Sequence, residues 1–319
     1  MKILGAGMAG LIAANLLHRY NLLVLEKADN LPKNHAAVLR FRTDEISKAT
    51  QIPFKKVHVS KSIYYDRKHY NESNLFFANM YSIKVTGRIL TRSIINLNDC
   101  ERYISPPDFI QQLSKGVEIC FGVEIGNDLF NHRYPDKIIS TLPMPLMMDM
   151  CGTSLAKRNF TSNPIWVASC TIDNPECDIY QTVYCPDKTK DWYRASITGS
   201  ELIVEFITKP HDFHNMKSGQ NDHDQQHHFI NMLEKIFGIE VDMVSNMKFK
   251  EQPYGKIAPM NEEHRKEFIH HLTTEYGIYS LGRFATWRNL LLDDIVKDVN
   301  VIKQLIESDS TYDLAKANL

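Results

Sequence analysis

The chain has 319 residues, with 37 Lys and Arg against 38 Asp and Glu and a formal net charge of −1. That balance supplies no global field that would select nucleic acid or an anionic membrane, and the length suffices for one large domain or two interleaved ones. Six cysteines, with no CxxC pair and no metal-ligand spacing, point to a reduced, cytoplasmic setting. The chain opens directly on a strand, so no secretory leader is expected. The most apolar run, Leu142 to Met150, holds two prolines and an aspartate and falls well short of the ~20 residues that span a bilayer.

Lys2-Ile3-Leu4 reads as a short buried strand, Gly5-Ala6-Gly7-Met8-Ala9-Gly10 as a turn, and Leu11 to Arg19 as the helix that the turn opens. A second apolar run, Leu22 to Leu25, ends on Glu26, which lies 21 residues after Gly5. Strand, glycine triplet, helix and acid at this spacing form a dinucleotide-binding unit. Gly5 permits the tight turn, Gly7 leaves the backbone bare for a pyrophosphate, and Gly10 lets helix and strand pack closely. The helix N-terminus offers N–H groups and partial positive charge to the phosphates. Glu26 is placed to accept from ribose hydroxyls, and its charge disfavours NADP.

Asp29 to Asn34 reads as a loop. In His35 to Arg42, Arg40 and Arg42 flank Phe41 and either face cofactor phosphates or substrate, or lie on an edge strand in solvent. Thr43 to Ala49 is a short helix capped by Thr43. Lys55, Lys56, Lys61, Arg67 and Lys68, with His58 and His69, sit among β-branched and aromatic residues. They predict a twisted hairpin whose basic face is either merely solvated or holds a phosphate-bearing or nucleic-acid partner. Asp108 caps a helix at Phe109 to Ser114, Val117 to Phe121 is a strand, and Ile138 to Pro143 is a buried strand returning to the nucleotide.

From Pro164 the pattern turns to short strands with hairpin spacing (Ile165 to Ala168, Tyr180 to Tyr184, Trp192 to Ile197, Leu202 to Ile207), which predicts an antiparallel sheet. His211, His214, His223, His227 and His228 crowd a polar stretch leading into a helix at Phe229 to Phe237. No convincing ligand set accompanies them, and no metal is expected. Glu262 to Leu272 is a charged helix, Ile278 to Leu281 a strand, and Gly282-Arg283 the turn out of it. From about Leu290 a helix follows, with Leu292, Ile295, Val299, Ile302 and Ile306 in one buried stripe and Asp293 and Asp294 at its positive end. The fold class expected is α/β, a Rossmann-type dinucleotide domain (residues 1–40, 103–150 and 274–319) interleaved with an antiparallel-sheet substrate domain (41–102 and 151–273).

The strand, Gly-Arg turn and Asp-bearing helix at Ile278 to Asp294, paired with the N-terminal glycine triplet and acid, resemble the FAD-dependent amine oxidase and protoporphyrinogen oxidase superfamily, especially its UDP-galactopyranose mutase-like branch. Trp192-Tyr193-Arg194-Ala195-Ser196, Tyr254-Gly255-Lys256-Ile257-Ala258-Pro259 and Ile139-Ser140-Thr141-Leu142-Pro143 match in order. The resemblance implies FAD. Its cofactor-binding candidates are Gly5, Gly7, Met8, Ala9, Gly10, Glu26 and Lys27 at the N-terminus, Arg40, Val123 and Thr141 in between, and Gly282, Arg283, Leu292 and Asp293 at the far end. The helix N-terminus near the flavin O2 would stabilise the anionic reduced ring.

Arg194 and Tyr254 are the implied substrate-side residues, Arg194 anchoring a carboxylate or phosphate and Tyr254 shaping the pocket. The implied activity is transfer of a hydride from a carbon beside nitrogen, or a comparably activated carbon, to flavin N5, on a small-molecule or nucleotide-linked substrate. A mutase-like isomerase and a flavin-binding protein without turnover are the alternatives. Compact enzymes of this type also resemble phage-encoded ones that hypermodify thymine in DNA, which would enlist the basic stretch. The sequence departs from the superfamily in having no glycine between His35 and Arg42.

Overall fold

Two sheets organise the chain in a computed structural model, which describes residues 1–319 apart from 34, 36, 37, 90–92, 131–136, 153–159, 161, 174–176, 210–222, 259 and 309–319. In chain order the first elements are β1 (Lys2–Leu4), α1 (Met8–Leu16), β2 (Leu23–Leu25), β3 (Arg40–Phe41), α2 (Glu45–Thr50), β4 (Lys55–Tyr65), β5 (Lys68–Tyr70) and α3 (Leu75–Thr86). The middle of the chain supplies β6 (Cys100–Ile104), α4 (Phe109–Ser114), β7 (Glu118–Cys120), β8 (Ile138–Ser140), α5 (Met144–Cys151), β9 (Ser162–Ile172) and β10 (Ile179–Tyr184). Then come β11 (Trp192–Gly199), β12 (Glu201–Phe206), α6 (His223–Phe237), β13 (Val244–Ile257), α7 (Glu262–Tyr276), β14 (Ile278–Ser280) and α8 (Ile295–Ser308).

The first sheet is parallel and five-stranded, in the order β14-β8-β1-β2-β7. Parallel strands are covered on both faces, so their residues must be apolar throughout. Ile3, Val24, Ile139 and Ile278 are accordingly fully buried. One face packs against α1, α4 and α8 through Leu11, Phe109, Ile110, Ile295, Val299 and Ile302. The other packs against α5 and α7 through Met144, Met147, Met148, Phe268, Ile269 and Leu272. The buried stripe of α8 runs Ile295, Val299, Ile302 and Leu305, so its last member is Leu305 rather than Ile306. The helix proper follows a 3-10 turn at Leu292–Asp294.

The second sheet is nine-stranded, in the order β13-β9-β12-β11-β10-β4-β6-β3, with β5 paired to β4. It is mixed rather than purely antiparallel, because β4 and β10 pair in parallel. These two strands are separated by the passage of the chain through the first sheet, so no hairpin dictates their direction. One face, with Trp192, Ala195, Ile197, Leu202 and Val204, packs under α6. The opposite face meets α3 at one end, through Ile63, Tyr193 and Ile203 against Phe77, Tyr81 and Val85, and is polar elsewhere.

Two local readings change. The sequence pattern assigns nothing to Leu75–Thr86, yet α3 forms there with the Asn74 side chain accepting from Phe77 N–H (3.0 Å) and Gly87 closing it at φ 72°. Thr43 does not cap α2, which begins at Glu45 after Asp44; the Thr43 N–H donates to Asp293 instead (3.1 Å). The β4–β5 hairpin turns at Asp66 and Arg67, with φ of 50° and 60°. Among the described residues no helix is long and apolar enough to cross a membrane. None of the six cysteines forms a disulfide.

Among the described glycines the least room is at Gly10 in α1, where an added Cβ would lie 2.0 Å from the Gly5 carbonyl oxygen in the loop after β1. Because that obstacle is backbone, Gly10→Ala is expected to destabilise the protein by about 2 kcal/mol. Urea denaturation reads this as a lower midpoint, and an unchanged midpoint contradicts the packing.

Candidate cofactor and active site

The loop between β1 and α1 is built around its three glycines. Gly5 has φ +94°, and a Cβ there would lie 2.4 Å from Thr141 Oγ1, whose hydroxyl donates to Leu4 O (2.8 Å). Gly7 differs, since a Cβ built on it meets nothing within 4 Å. Two glycines are thus required by the protein's own packing, and the third faces open space. α1 begins at Met8 with no side-chain cap and no acid in its first turn, and its first intrahelical bond runs from Leu11 N–H to Gly7 O (2.9 Å). The N–H groups ahead of that bond and the uncompensated helix dipole make an anion site.

Glu26 follows β2 and closes the loop from the side. Ala6 N–H donates to its Oε2 (2.6 Å) and Ala28 N–H to its Oε1 (2.9 Å). A carboxylate accepts about four hydrogen bonds, so each oxygen keeps capacity for a ribose hydroxyl. Val123 N–H donates to Glu26 O (2.9 Å), which holds the acid in place through the backbone, and Lys27 pairs with Glu124 at the surface (2.5 Å).

The far end of the chain returns to this loop. At Gly282 (φ +90°) a Cβ would lie 3.0 Å from the Ala9 Cβ, and Leu281 N–H donates to Ser140 O (2.9 Å). Arg283 donates through Nη2 to Gly255 O (3.3 Å), while its buried Nε meets no partner among the described residues. Burial lowers its pKa, with Tyr193 and Glu205 opposing. Leu292 opens the 3-10 turn before α8. Asp293 Oδ1 accepts from Arg42 N–H (2.6 Å) and Thr43 N–H, tying that turn to the end of β3. The residues present fit a dinucleotide with a second half-site: an open Gly7, an uncapped helix, and a buried arginine nitrogen lacking a partner beside the C-terminal turn.

The polar face of the second sheet carries the arginines. Arg40 reaches across β10 and β11, donating to Thr198 Oγ1 (2.8 Å), Thr182 Oγ1 (2.6 Å), Gln181 O (2.9 Å) and Ile197 O. Burial, with Arg194 nearby, lowers its pKa to about 10. Its donors tie β3, at one end of the second sheet, to β10 and β11 of the same sheet, and Arg42 is exposed. Arg194 stands opposite Glu205 on β12, and its Nε donates to Glu205 Oε2. A bulge at Trp192/Arg194 lets the consecutive Tyr193 reach the same acid, its hydroxyl donating to Oε1 (3.1 Å). Burial alone would raise the Glu205 carboxyl, but the Arg194 guanidinium outweighs it and holds the group below its usual range.

The Arg194 side chain remains 35% exposed, so its Nη groups stay available to a ligand. Lys256 lies 4.6 Å from the centre of the Tyr193 ring. Glu205, Tyr193 and Lys256 were not among the sequence candidates; the available signal was a lone acid, Glu205, inside an apolar strand. Tyr254 sits at a second bulge, between Gln252 and Lys256, where Gly255 passes against Ile165. Its ring packs with Phe284 (5.8 Å) and Trp287 (6.0 Å), so an aromatic wall joins the second sheet to the C-terminal turn.

The five basic residues of the hairpin region separate. Lys55 pairs with Asp178 (2.7 Å) and Lys56 with Glu101 (2.7 Å); Lys61, Arg67 and Lys68 lie toward the other end of β4. His211 and His214 lie outside the described residues, and among those described no His, Cys, Asp and Glu group could hold a metal.

No protein-family model matches the chain, and no curated protein matches it significantly. Solved structures do. Over 99% of this chain and 97% of the other, the fold is similar to that of a reduced UDP-galactopyranose mutase, with TM-score 0.66 and 15% identity. A putrescine oxidase matches over 96% and 98% with TM-score 0.59 and 9% identity, and an oxidoreductase from Methanosarcina mazei over 95% and 100% with TM-score 0.55 and 12% identity.

Glu205 offers a direct check on the arginine cluster. Its native pKa lies below the ordinary 4.5, so its stabilising contribution is full above that value and is lost as the pH falls through the depressed native value. Glu205→Gln should therefore cost about 2 kcal/mol at neutral pH, discounted for the partial exposure of Arg194, and progressively less in acid. Denaturation series at the two pH values measure this, and a cost independent of pH contradicts the pairing.

Proposed function

The chain has the fold of the amine-oxidase-like flavoproteins that its sequence resembles, and we propose that it is an FAD-dependent oxidoreductase. The observation that carries this is the closure of the Gly282 turn onto Ala9 beside an open Gly7. A lone dinucleotide loop has no use for a second segment at its helix N-terminus, whereas a cofactor with a ring beyond the pyrophosphate does. FAD bound there would supply the hydride acceptor for a carbon beside nitrogen or a comparably activated carbon.

The protein's own residues bind and orient. The N-terminus of α1 holds the pyrophosphate, Glu26 the ribose, and the buried Arg283 Nε one further acceptor. Arg194, already neutralised by Glu205, serves as a hydrogen-bond donor that orients substrate and not as a free cation. Tyr254, Phe284 and Trp287 exclude water from one side. Hydride transfer needs orientation more than a strong base, which accords with the absence of a Cys or His constellation among the described residues of this face.

The extent of the match to the mutase supports a second reading, an isomerase that turns over UDP-galactose only when its flavin is reduced. Anaerobic mixing with a panel of amines separates the two. Loss of flavin colour with an amine supports the oxidoreductase, turnover of UDP-galactose dependent on a reductant supports the isomerase, and neither result leaves a flavin-binding protein without turnover.

Gly7→Ala tests the cofactor site without disturbing the fold, because the added methyl meets only open space. Stability should change by no more than about 0.5 kcal/mol, while FAD affinity in a fluorescence titration falls about tenfold or more. Equal affinity in both proteins removes Gly7 from the pyrophosphate site.

A further inference from the structure

A cleft of ≈ 480 Å³ opens where His35, Val38 and Leu39 and the start of α4 face the ends of β9 to β13. That volume suits a small-molecule ligand. Its walls differ in character. Val38, Leu39, Pro106, Pro107 and Phe109 form an apolar side, and Ser169, Thr171, Tyr180 and Thr198 a hydroxylated one. Thr198 also accepts from Arg40, so the cleft continues the polar face that carries Arg194.

Charge decides what this cleft holds. Among the described residues four charged side chains line it, Lys55, Lys248, Asp178 and Glu201, with His35 beside them and no arginine. Lys55 Nζ lies 2.7 Å from Asp178 Oδ2, and the Tyr180 hydroxyl donates to the same oxygen (3.0 Å). Lys248 faces Glu201, whose carboxyl is raised by burial and drawn back by that lysine. Lys55 is paired with Asp178 and Lys248 lies in the field of Glu201, so among the described lining residues a phosphate entering the cleft meets two carboxylates for two ammonium groups and none of the forked donors that bind phosphate best. Donors and acceptors remain plentiful.

We infer that the cleft binds an uncharged ring compound with one apolar face and hydrogen-bonding groups along its edge, a nucleoside or a glycoside lacking phosphate. The apolar face lies on the proline and phenylalanine side. The edge meets Glu201, Lys248 and the hydroxyls, which together supply acceptors and donors in the mixture that a neutral polar ring presents. The inference rests on the proposed function only in treating the occupant as the substrate, since binding itself needs no flavin turnover.

Ligand-detected NMR titration of the full-length protein as purified tests it with two pairs of probes, uridine with uridine monophosphate and methyl β-galactoside with galactose 1-phosphate. One neutral probe is expected to bind, with its phosphorylated counterpart about tenfold weaker or more; which pair responds identifies nucleoside or glycoside. Glu201→Gln and, independently, Asp178→Asn each leave a lysine unbalanced, and both should move the preference about tenfold toward the phosphorylated probe. Tighter binding of a phosphorylated probe to the unaltered protein, no binding of either neutral probe, or an unchanged preference in both variants overturns the inference. Neutral-probe binding by protein that takes up no FAD would defeat the flavin reading and leave the cleft assignment standing, so the two fail separately.

Discussion

Everything in the site depends on how closely backbone can approach backbone at the N-terminus of α1. Gly10 rests on the Gly5 carbonyl, Gly5 leaves no space before Thr141, and Gly282 touches Ala9. These contacts bring β1, β8 and the turn after β14 to one point, although their residues lie at the beginning, middle and end of the sequence. A side chain at Gly5, Gly10 or Gly282 would separate segments that the parallel sheet has already brought together. Of these four glycines only Gly7 faces open space, a difference between neighbours that accords with the proposed approach of a ligand there.

The second constraint is the coupling between the sheets. Asp293 holds the N–H groups of Arg42 and Thr43 just after β3, and Trp287 Nε1 donates to Ala258 O (3.1 Å), while Arg40 fastens β3 to β10 and β11 within its own sheet. A buried guanidinium is stable only when its donors find acceptors, and Arg40 finds four. The strand at Arg40–Phe41 is therefore pinned to β10 and β11 of the second sheet by Arg40 and to the turn before α8 through the N–H groups that follow it. These bonds fix the second sheet against the turn before α8, the positional constraint that the proposed transfer between two bound molecules would need.

Much of the first sheet was legible in the sequence. Short strands with an apolar pair, such as Ile3-Leu4 in β1 and Ile138-Ile139 in β8, glycines at set intervals and an acid at the end of β2 are local patterns that parallel, doubly covered strands impose. α3 was not legible, because aromatic and β-branched residues at Leu75–Thr86 resemble a strand, and its helical state comes from the Asn74 cap and packing against Tyr193 and Ile203. The parallel pairing of β4 with β10 was likewise invisible, being a product of long-range topology. In the site, Arg194 could be singled out from its strand, but Glu205 emerges only once register sets it opposite. Arg40 shows the reverse: its position was marked, and its partners on β10 and β11 lie some 140 to 160 residues away in sequence.

The central claim is that the clearance at Gly7 and the turn at Gly282 together form the site of one FAD. Heat release of whatever the purified protein carries after incubation with excess FAD, followed by chromatography of the soluble fraction, tests it most directly. The account predicts FAD in a proportion near one per chain. A nicotinamide dinucleotide in its place, or protein that emerges with no flavin, would contradict it.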